Sequence, residues 1–231
     1  MASSSKTRPA PRGPVSVGRR EARTGRAAVD PPIRLHVGCG TVYLEGYVNI
    51  DVEVPGYSFQ AAARPDLLER NRTTVDRYYK RGETQATLER GPREAQACVV
   101  DRYARIDALP YAPDSVDEIR SVQVLEHVGL NEAPRVLRHW HEILKPGGLV
   151  HVDVPDFEET ARQLLAQSDE DAKDWYYRLI YGSQKNAYAY HKNGFSPARL
   201  EWLLRRAGFR DVRHVPDTIH FYPVAIAEGI K

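Results

Sequence analysis

One stretch of the sequence, residues 33–51, limits most strongly what this chain can fold into. It contains a short apolar run, a turn made of Gly38, Cys39 and Gly40, and a second apolar run that ends at Asp51. Glycines in such a turn let a ligand approach the backbone, and a carboxylate after the second strand can accept hydrogen bonds from ribose hydroxyls. We therefore predict a strand, a ligand-binding turn, a second strand and a binding carboxylate. A glycine turn between two buried strands, with no ligand, is the alternative that this stretch leaves open.

Farther along the chain, short apolar runs alternate with helical patterns. The clearest helix is predicted from about residue 132 to 144, because its apolar residues recur at intervals of three, four and seven. Alternating strands and helices predict an α/β fold with a mostly parallel sheet covered on both faces. Ligands of such sheets bind beyond the carboxyl ends of the strands, and Asp51, Asp107 and residues 123–127 all fall at predicted strand ends.

The organisation of the 231-residue chain is predicted to be one domain, residues 32–231, behind a basic tail, residues 1–31. Residues 1–32 carry seven basic and two acidic side chains, a net charge of +5, so the remainder carries −3. A basic arm could contact nucleic acid or anionic lipid, but this composition favours a disordered, solvated tail. Residues 54–98 are predicted to be an insertion that forms a partly helical lid.

Several classes of protein are disfavoured by the composition. No apolar run reaches the roughly 18 residues of a membrane span, and the N-terminus lacks the apolar region of a secretion signal. Two cysteines do not make a disulfide framework, and no zinc-binding pattern occurs, so no metal site is predicted. A cytoplasmic location is expected.

With these residues in place, the chain resembles the class I S-adenosylmethionine-dependent methyltransferases, and most closely their small bacterial branch of type 11-like enzymes. The motifs that carry the resemblance are Gly38-Cys39-Gly40, Gly46-Tyr47-Val48-Asn49-Ile50-Asp51, Asp107-Ala108-Leu109-Pro110, Leu125-Glu126-His127, Leu144-Lys145-Pro146-Gly147-Gly148 and Ala207-Gly208-Phe209. The resemblance implies a Rossmann-like, doubly wound, seven-stranded sheet with an antiparallel C-terminal hairpin. It implies S-adenosyl-L-methionine as the cofactor.

The resemblance also implies roles for cofactor-binding residues. The turn Gly38–Gly40 would pass close to the methionine and ribose parts of the cofactor, and Asp51 would bind the ribose hydroxyls. Asp107 would receive the adenine amino group, Leu109 would lie against the adenine ring, and Gln123 would contact the methionine portion through its backbone.

One departure from the family pattern concerns the methionine ammonium. Many relatives carry an acid two residues before the first glycine of the turn, and in this chain that position is His36. Another group must then bind the ammonium. A nicotinamide-dependent oxidoreductase would share the same first turn, but the third glycine of its GxGxxG motif is replaced by Tyr43.

The catalytic candidates are histidines. A hydroxyl acceptor must lose a proton, and His127 is the first candidate for the base because it follows a strand that ends near the cofactor. A structural histidine at a helix start is the alternative. His191, in a loop rich in aromatic and amide side chains, is the second candidate. His139 and His141 are two residues apart on a helix and do not face each other, which argues against a metal pair there.

Three functions remain open from the sequence. The leading hypothesis is O-methylation of a sugar, a glycan precursor or a secondary metabolite, since aromatic and amide groups in a cleft suit such ligands. The second is a cofactor-binding or scaffold protein without catalysis. The third is a nucleic-acid or protein methyltransferase guided by the basic tail, with nucleic acid the less favoured partner. A homodimer is among the oligomeric states that the sequence leaves open.

Overall fold

The computed structural model describes residues 31–78, 97–216 and 220–231. Predictions for residues 1–30 of the tail and for residues 79–96 of the insertion lie outside these residues. The strands are β1 (Arg34–Val37), β2 (Tyr43–Leu44), β3 (Val48–Asp51), β4 (Ser58–Gln60), β5 (Arg72–Thr73), β6 (Cys98–Val100), β7 (Arg102–Tyr103), β8 (Val116–Val122), β9 (Leu144–Pro155), β10 (Arg210–His214) and β11 (Val224–Ile230). The α-helices are α1 (Pro65–Asn71), α2 (Ala133–Ile143), α3 (Phe157–Ala166), α4 (Glu170–Tyr181) and α5 (Pro197–Ala207).

The main sheet has seven strands in the order β10-β11-β9-β8-β1-β3-β7. β1 pairs in parallel with β3 on one side and with β8 on the other, so the chain order reverses at this point of the sheet. β11 runs antiparallel to both β9 and β10. The predicted Rossmann-like sheet with an antiparallel C-terminal pair is confirmed, and its crevice is expected beside β1.

Helix α2 shows why the local pattern forms the predicted element. Its buried residues, Ala133, Val136, Leu137, Trp140 and Ile143, lie on one face of the helix. The Trp140 indole is fully buried, yet its Nε1 donates a 2.8 Å hydrogen bond to the carbonyl of Ile106. This bond satisfies the one polar group of the side chain inside the core and ties α2 to the loop after β7.

Helix α5 also ends as its sequence predicts. Gly208 follows its last residue in the left-handed conformation, with φ of 110°, which terminates the helix before β10. Leu200, Leu203 and Leu204 are buried against the main core. Helix α5 therefore packs on the closing pair β10 and β11, which joins the sheet directly through β9.

The link between the glycine turn and β3, all of it within the described residues, contains a strand and no helix. It contains β2, which pairs in parallel with β5 in a separate two-stranded sheet. The side-chain oxygen of Asn49 accepts a 2.8 Å hydrogen bond from the backbone N–H of Leu44. This bond holds the link extended against β3, so a helical turn does not form.

The described part of the insertion is partly helical, with α1 and two short 3-10 turns. It also contains β4, which pairs in parallel with β6. A small separate core, made of Ala61, Leu67, Ala97 and Val99, holds these elements together. No helix among the described residues combines the length and the hydrophobicity that a bilayer span requires.

Candidate functional site

A cavity of about 1430 Å³ opens beside β1, at the carboxyl ends of the parallel strands. It is lined by the glycine turn after β1, by Asp51 at the end of β3 and by Gln123 after β8. Pockets for single small ligands usually occupy about 300–1000 Å³, so this space can hold a nucleoside-sized cofactor together with a second molecule.

The glycine turn and Asp51 form one hydrogen-bonded unit. The Asp51 Oδ2 atom accepts a 2.8 Å hydrogen bond from the Gly40 N–H, and Oδ1 accepts a 2.7 Å bond from the Val52 N–H. Burial raises the pKa of Asp51, while the two backbone donors oppose that rise. A carboxylate has about four acceptor sites, and these donors leave part of them free, so this acid at the cavity wall can still accept hydrogen bonds from a diol.

Gly38 packs against Val124, which follows β8, and this contact leaves no room for a side chain at position 38. Its φ is +66°, and a Cβ atom there would overlap the methyl groups of Val124. Gln123, the residue before Val124, has φ of 56°, which is uncommon for a residue with a side chain. Its backbone N–H and its side-chain Nε2 both donate 2.8 Å hydrogen bonds to Asp153. These two bonds hold the strained conformation that places Gln123 at the cavity.

Two cysteines meet at the turn, and one of them, Cys39, belongs to it and lines the cavity. Cys39 and Cys98 are free and buried, with their sulfur atoms 3.9 Å apart. The Cys98 thiol also lies 3.6 Å from Asp51 Oδ2, within reach of a weak hydrogen bond. Burial raises the pKa of the Cys39 thiol well above its usual value, so the thiol is protonated and packs as a small apolar group.

His36 is part of the core and does not line the cavity. Its Nδ1–H donates to Asn49 Oδ1 at 3.0 Å, so its Nε2 accepts from the Tyr78 hydroxyl at 2.9 Å. Burial lowers the pKa of His36 to about 4, so the ring is neutral. His36 therefore does not replace the acid that many relatives use, and it joins β1 to β3 and to the insertion.

The two residues predicted to contact adenine lie in different environments. Asp107 lines the cavity and makes a bidentate ion pair with Arg105, with both N–O distances 2.9 Å. That guanidinium lowers the pKa of Asp107. Leu109 is 3% exposed and packs in the main core, apart from the residues that line the cavity. Its role against the adenine ring stays a prediction.

The two histidines predicted as catalytic lie together on the cavity wall, although they are far apart in the chain. Their ring centroids are 4.8 Å apart. His127 belongs to a short 3-10 turn after β8, and His191 belongs to the loop after α4. That loop turns back at Gly182, where φ is +80° and a Cβ atom would overlap the Ala189 carbonyl oxygen.

The loop is anchored beside the first histidine. The backbone N–H groups of Lys192 and Asn193 both donate to the carbonyl of Glu126, at 2.8 and 3.1 Å. Glu126 is 2% exposed, and its carboxylate lies next to both histidines. Glu126 was not among the site residues predicted from the sequence. The sequence contains one indication of its role, because an acidic residue among apolar residues just after a buried strand is unusual.

Aromatic side chains form the outer wall of the cavity. Trp175 of α4 stacks on Phe221 with ring centroids 5.6 Å apart and an angle of 25° between the planes. Both rings remain exposed, Trp175 to 38% and Phe221 to 69%. Trp175 belongs to α4 and Phe221 to the segment before β11, so two segments far apart in the chain form this wall.

The chain matches one protein family over most of its length. The family model described as "Methyltransferase domain" matches residues 29–214. No curated protein matches the chain significantly.

Many solved structures match the chain, among them methyltransferases from archaea and bacteria. A SAM-dependent methyltransferase from Archaeoglobus fulgidus has 13% identity and a TM-score of 0.49, over 87% of each chain. A SAM-dependent methyltransferase from Thermotoga maritima has 14% identity and a TM-score of 0.45, over 86% of this chain and 82% of the other. The 1,6-didemethyltoxoflavin-N1-methyltransferase of Burkholderia thailandensis has 14% identity and a TM-score of 0.44, over 87% and 71%.

Proposed function

The chain belongs to the methyltransferase domain family as a class I S-adenosylmethionine-dependent methyltransferase, and we propose that it methylates a hydroxyl group of a sugar, a glycan precursor or a secondary metabolite. One observation carries the proposal. The unit of Gly40 and Asp51 and the pair of histidines, His127 and His191, line the same cavity, which is large enough for cofactor and acceptor together.

The cofactor is held by the turn after β1. The ribose hydroxyls donate to Asp51, whose conformation is fixed by the Gly40 and Val52 amides. Because Gly40 has no side chain, the cofactor can approach the backbone at this turn. The Gly40 amide thus orients the carboxylate that binds the adenosyl group.

Methyl transfer is a displacement at the sulfonium methyl group. The acceptor oxygen forms a bond to the methyl carbon, and the carbon–sulfur bond breaks. Its electron pair stays on sulfur, so S-adenosylhomocysteine is released, and the hydroxyl proton leaves to a base. The cofactor supplies the reactive carbon, whereas the protein aligns the two molecules and excludes water.

His127 and His191 are two of the side chains on the cavity wall that can accept a proton. His127 Nδ1 lies 3.0 Å from the Tyr190 carbonyl oxygen, which can only accept, so Nδ1 carries the hydrogen and Nε2 has the free lone pair. Burial lowers the pKa of His127, and Lys192 and Lys185 lower it further. The ring is therefore neutral near pH 7 and able to accept a proton.

The outer wall suits a ring-shaped polar acceptor. Trp175 and Phe221 offer an apolar stacking surface, and Tyr188, Asn186 and Lys192 place polar groups on the same cavity. A sugar has apolar C–H faces and hydroxyl edges, and this combination of groups recognises both.

The test is an acceptor screen with the full chain and S-adenosylmethionine, with release of S-adenosylhomocysteine as the readout. The expected product is a methyl ether, identified by the mass added by one methyl group and by NMR of the methylated position. Transfer only to nitrogen or carbon contradicts the hydroxyl assignment. Cofactor binding by calorimetry with no turnover on any acceptor favours a non-catalytic binding protein instead.

The histidine role is tested with His127→Asn. We expect kcat to fall by about 100-fold or more, with the cofactor dissociation constant unchanged. His214→Asn is the matched control, because His214 lies exposed on β10 and away from the cavity. An unchanged kcat in His127→Asn contradicts the role of this histidine.

A further inference from the structure

The histidine pair has a third member in the buried carboxylate of Glu126. His127 Nε2 lies 3.7 Å and His191 Nε2 lies 4.0 Å from the same atom, Glu126 Oε1. One ligand atom from each of the three residues lies within 4.8 Å of the others. The three groups converge on one point at the wall of the cavity.

The hydrogen bonds of the two rings fix their tautomers. His127 Nδ1 lies 3.0 Å from the Tyr190 carbonyl oxygen, and His191 Nδ1 lies 2.9 Å from the Leu179 carbonyl oxygen. A carbonyl oxygen only accepts, so both Nδ1 atoms carry the hydrogen. In the neutral rings each Nε2 therefore has a lone pair, and both lone pairs meet the same carboxylate oxygen. Burial lowers the pKa of both histidines, that of His191 to about 4, so neutral rings are favoured.

The carboxylate of Glu126 lacks the partners that a buried acid normally has. Within the described part of the chain, neither side-chain oxygen has a hydrogen-bond partner. Burial raises the pKa of Glu126 well above its usual value. A protonated carboxyl would still have to reach a ring nitrogen, and 3.7 and 4.0 Å both exceed hydrogen-bond distance. A carboxylate that is buried without partners is strongly unfavourable, so the arrangement calls for a positive group between the three atoms.

We propose that Glu126, His127 and His191 bind one divalent first-row transition-metal cation, through one carboxylate oxygen and the two Nε2 atoms. Two metal–ligand bonds of about 2.1 Å span up to about 4.2 Å, so such a cation can bridge Glu126 Oε1 to each histidine Nε2 at the observed 3.7 and 4.0 Å. Imidazole and carboxylate ligands suit Zn²⁺, Fe²⁺, Mn²⁺ or Co²⁺, whereas Mg²⁺ prefers oxygen ligands alone.

The surroundings of the cluster resemble those of built metal sites. Metal-ligating histidines commonly donate their second ring N–H to a carbonyl or a carboxylate, which fixes the orientation of the ring. Both histidines of the cluster do so. Three protein ligands also leave coordination positions free, and because both histidines line the cavity, those positions would open toward it.

The consequence for catalysis rests on the proposed function. An acceptor hydroxyl that coordinates the cation loses its proton more readily, because the positive charge stabilises the alkoxide. The two histidines then act as ligands, and solvent takes the proton. The base role of His127 described above belongs to the cation-free protein, so metal binding decides between the two mechanisms.

A second group of metal-ligating residues must be distinguished from this one. Cys39, Asp51 and Cys98 also bring their ligand atoms within 4.8 Å of one another. Both Asp51 oxygens already accept backbone hydrogen bonds, and the pKa of Cys39 is raised, so this group favours protonated thiols over metal ligation.

The experiment is a calorimetric titration of chelator-treated full chain with Co²⁺, without cofactor or acceptor. We expect one equivalent to bind, with no thiolate-to-cobalt absorption band in the near ultraviolet. The proton NMR spectrum of the complex should show two strongly shifted, exchangeable signals from the two Nδ1–H groups. Glu126→Gln and His191→Gln should each weaken binding at least tenfold, whereas Cys98→Ser and His214→Asn should leave it unchanged.

The inference is overturned by no stoichiometric Co²⁺ binding, by a thiolate band, or by affinity that is unchanged in both cluster variants. If either variant fails to fold, the wild-type spectrum decides, because fewer than two shifted Nδ1–H signals contradict ligation by two histidines. Methyl transfer without Co²⁺ binding would remove the metal site and keep the proposed function. Co²⁺ binding without methyl transfer would keep the metal site and remove the proposed function.

Discussion

The Asp51 carboxylate accepts a 2.8 Å hydrogen bond from the Gly40 amide, and this bond spans the whole link between the turn and the second strand. Since Gly40 follows β1 and Asp51 ends β3, the bond joins the ends of two neighbouring parallel strands. In the proposed function, the cofactor binds beside this bond. A change to either residue should therefore weaken cofactor binding more than it destabilises the fold.

Asp51→Asn should separate cofactor binding from stability. Two charge-assisted bonds to the ribose are weakened, so the dissociation constant of S-adenosylhomocysteine should rise roughly 10- to 100-fold. Burial raises the pKa of Asp51, so the neutral variant is relieved of a buried charge. Its single amide oxygen cannot accept from both the Gly40 and the Val52 N–H, so one hydrogen bond is lost and the melting temperature should change little. Calorimetry and thermal melting measure the two effects. Asp114→Asn, at an exposed acid paired with Lys231, is the control and should change neither.

The same raised pKa predicts a pH dependence of cofactor affinity. Protonation of Asp51 removes an acceptor of the ribose hydroxyls, and it begins at a higher pH than for an ordinary aspartate. Affinity should thus weaken as the pH falls through this raised pKa, and Asp51→Asn should lose that part of the dependence. Titrations with S-adenosylhomocysteine at several pH values between about 4 and 7 measure it. Equal pH dependence in both proteins would contradict the assignment.

Replacing each glycine of the turn by alanine should lower the free energy of unfolding by a different amount. Gly40→Ala places a methyl group in open space at φ of +52°, so it should cost about 1 kcal/mol of unfolding free energy while obstructing the cofactor. Gly38→Ala adds an overlap with Val124 to similar backbone strain and should cost about 2–4 kcal/mol. Urea denaturation measures both. The double variant Gly38→Ala with Val124→Ala should be less destabilised than the two single effects predict together, and simple additivity would contradict the overlap.

His36 should make stability depend on pH. Its pKa is lowered to about 4 in the folded protein, against about 6.5 in an unfolded chain, so the folded state resists protonation. The neutral ring therefore contributes fully to the free energy of unfolding above about pH 6.5. This contribution, about 3 kcal/mol in all, is lost as the pH falls toward 4. Urea denaturation at pH 7 and pH 4.5 should show a smaller difference for His36→Gln than for the wild type. An equal difference would mean that another group carries the dependence.

Trp175 should influence acceptor binding more than catalysis. Its loss in Trp175→Ala removes the stacking partner of Phe221, and we expect the KM of the acceptor to rise about fivefold with kcat little changed. Trp202→Ala is the matched control, because Trp202 is a half-exposed tryptophan of α5 that does not line the cavity. Steady-state kinetics with the acceptor found in the screen measure both. A fall in kcat alone would contradict a binding role.

Local patterns were sufficient to predict a mostly parallel sheet and the glycine turn, whereas the seven strands and the antiparallel hairpin were implied by the family resemblance. Residues 33–51 hold two strands, the turn and the acid within one short segment, so their order alone brings Gly40 and Asp51 together. The helical period of α2 and the glycine that ends α5 are local in the same sense.

The histidine cluster could not be predicted in the same way. Glu126 and His191 meet because the loop after α4 turns back at Gly182 and is anchored on the Glu126 carbonyl. No periodicity links positions that far apart in the chain. His36 was recognised only as a departure from the family pattern, since its partner Tyr78 belongs to the insertion, 42 residues later.

The most direct test of the account is a calorimetric titration of the wild-type chain with S-adenosylhomocysteine, combined with thermal melting. We predict binding of one equivalent and, at about 100 times the dissociation constant, a melting temperature about 5–10 °C higher. No heat of binding and no shift in melting temperature would contradict the central claim that Gly40 and Asp51 together bind an adenosyl group.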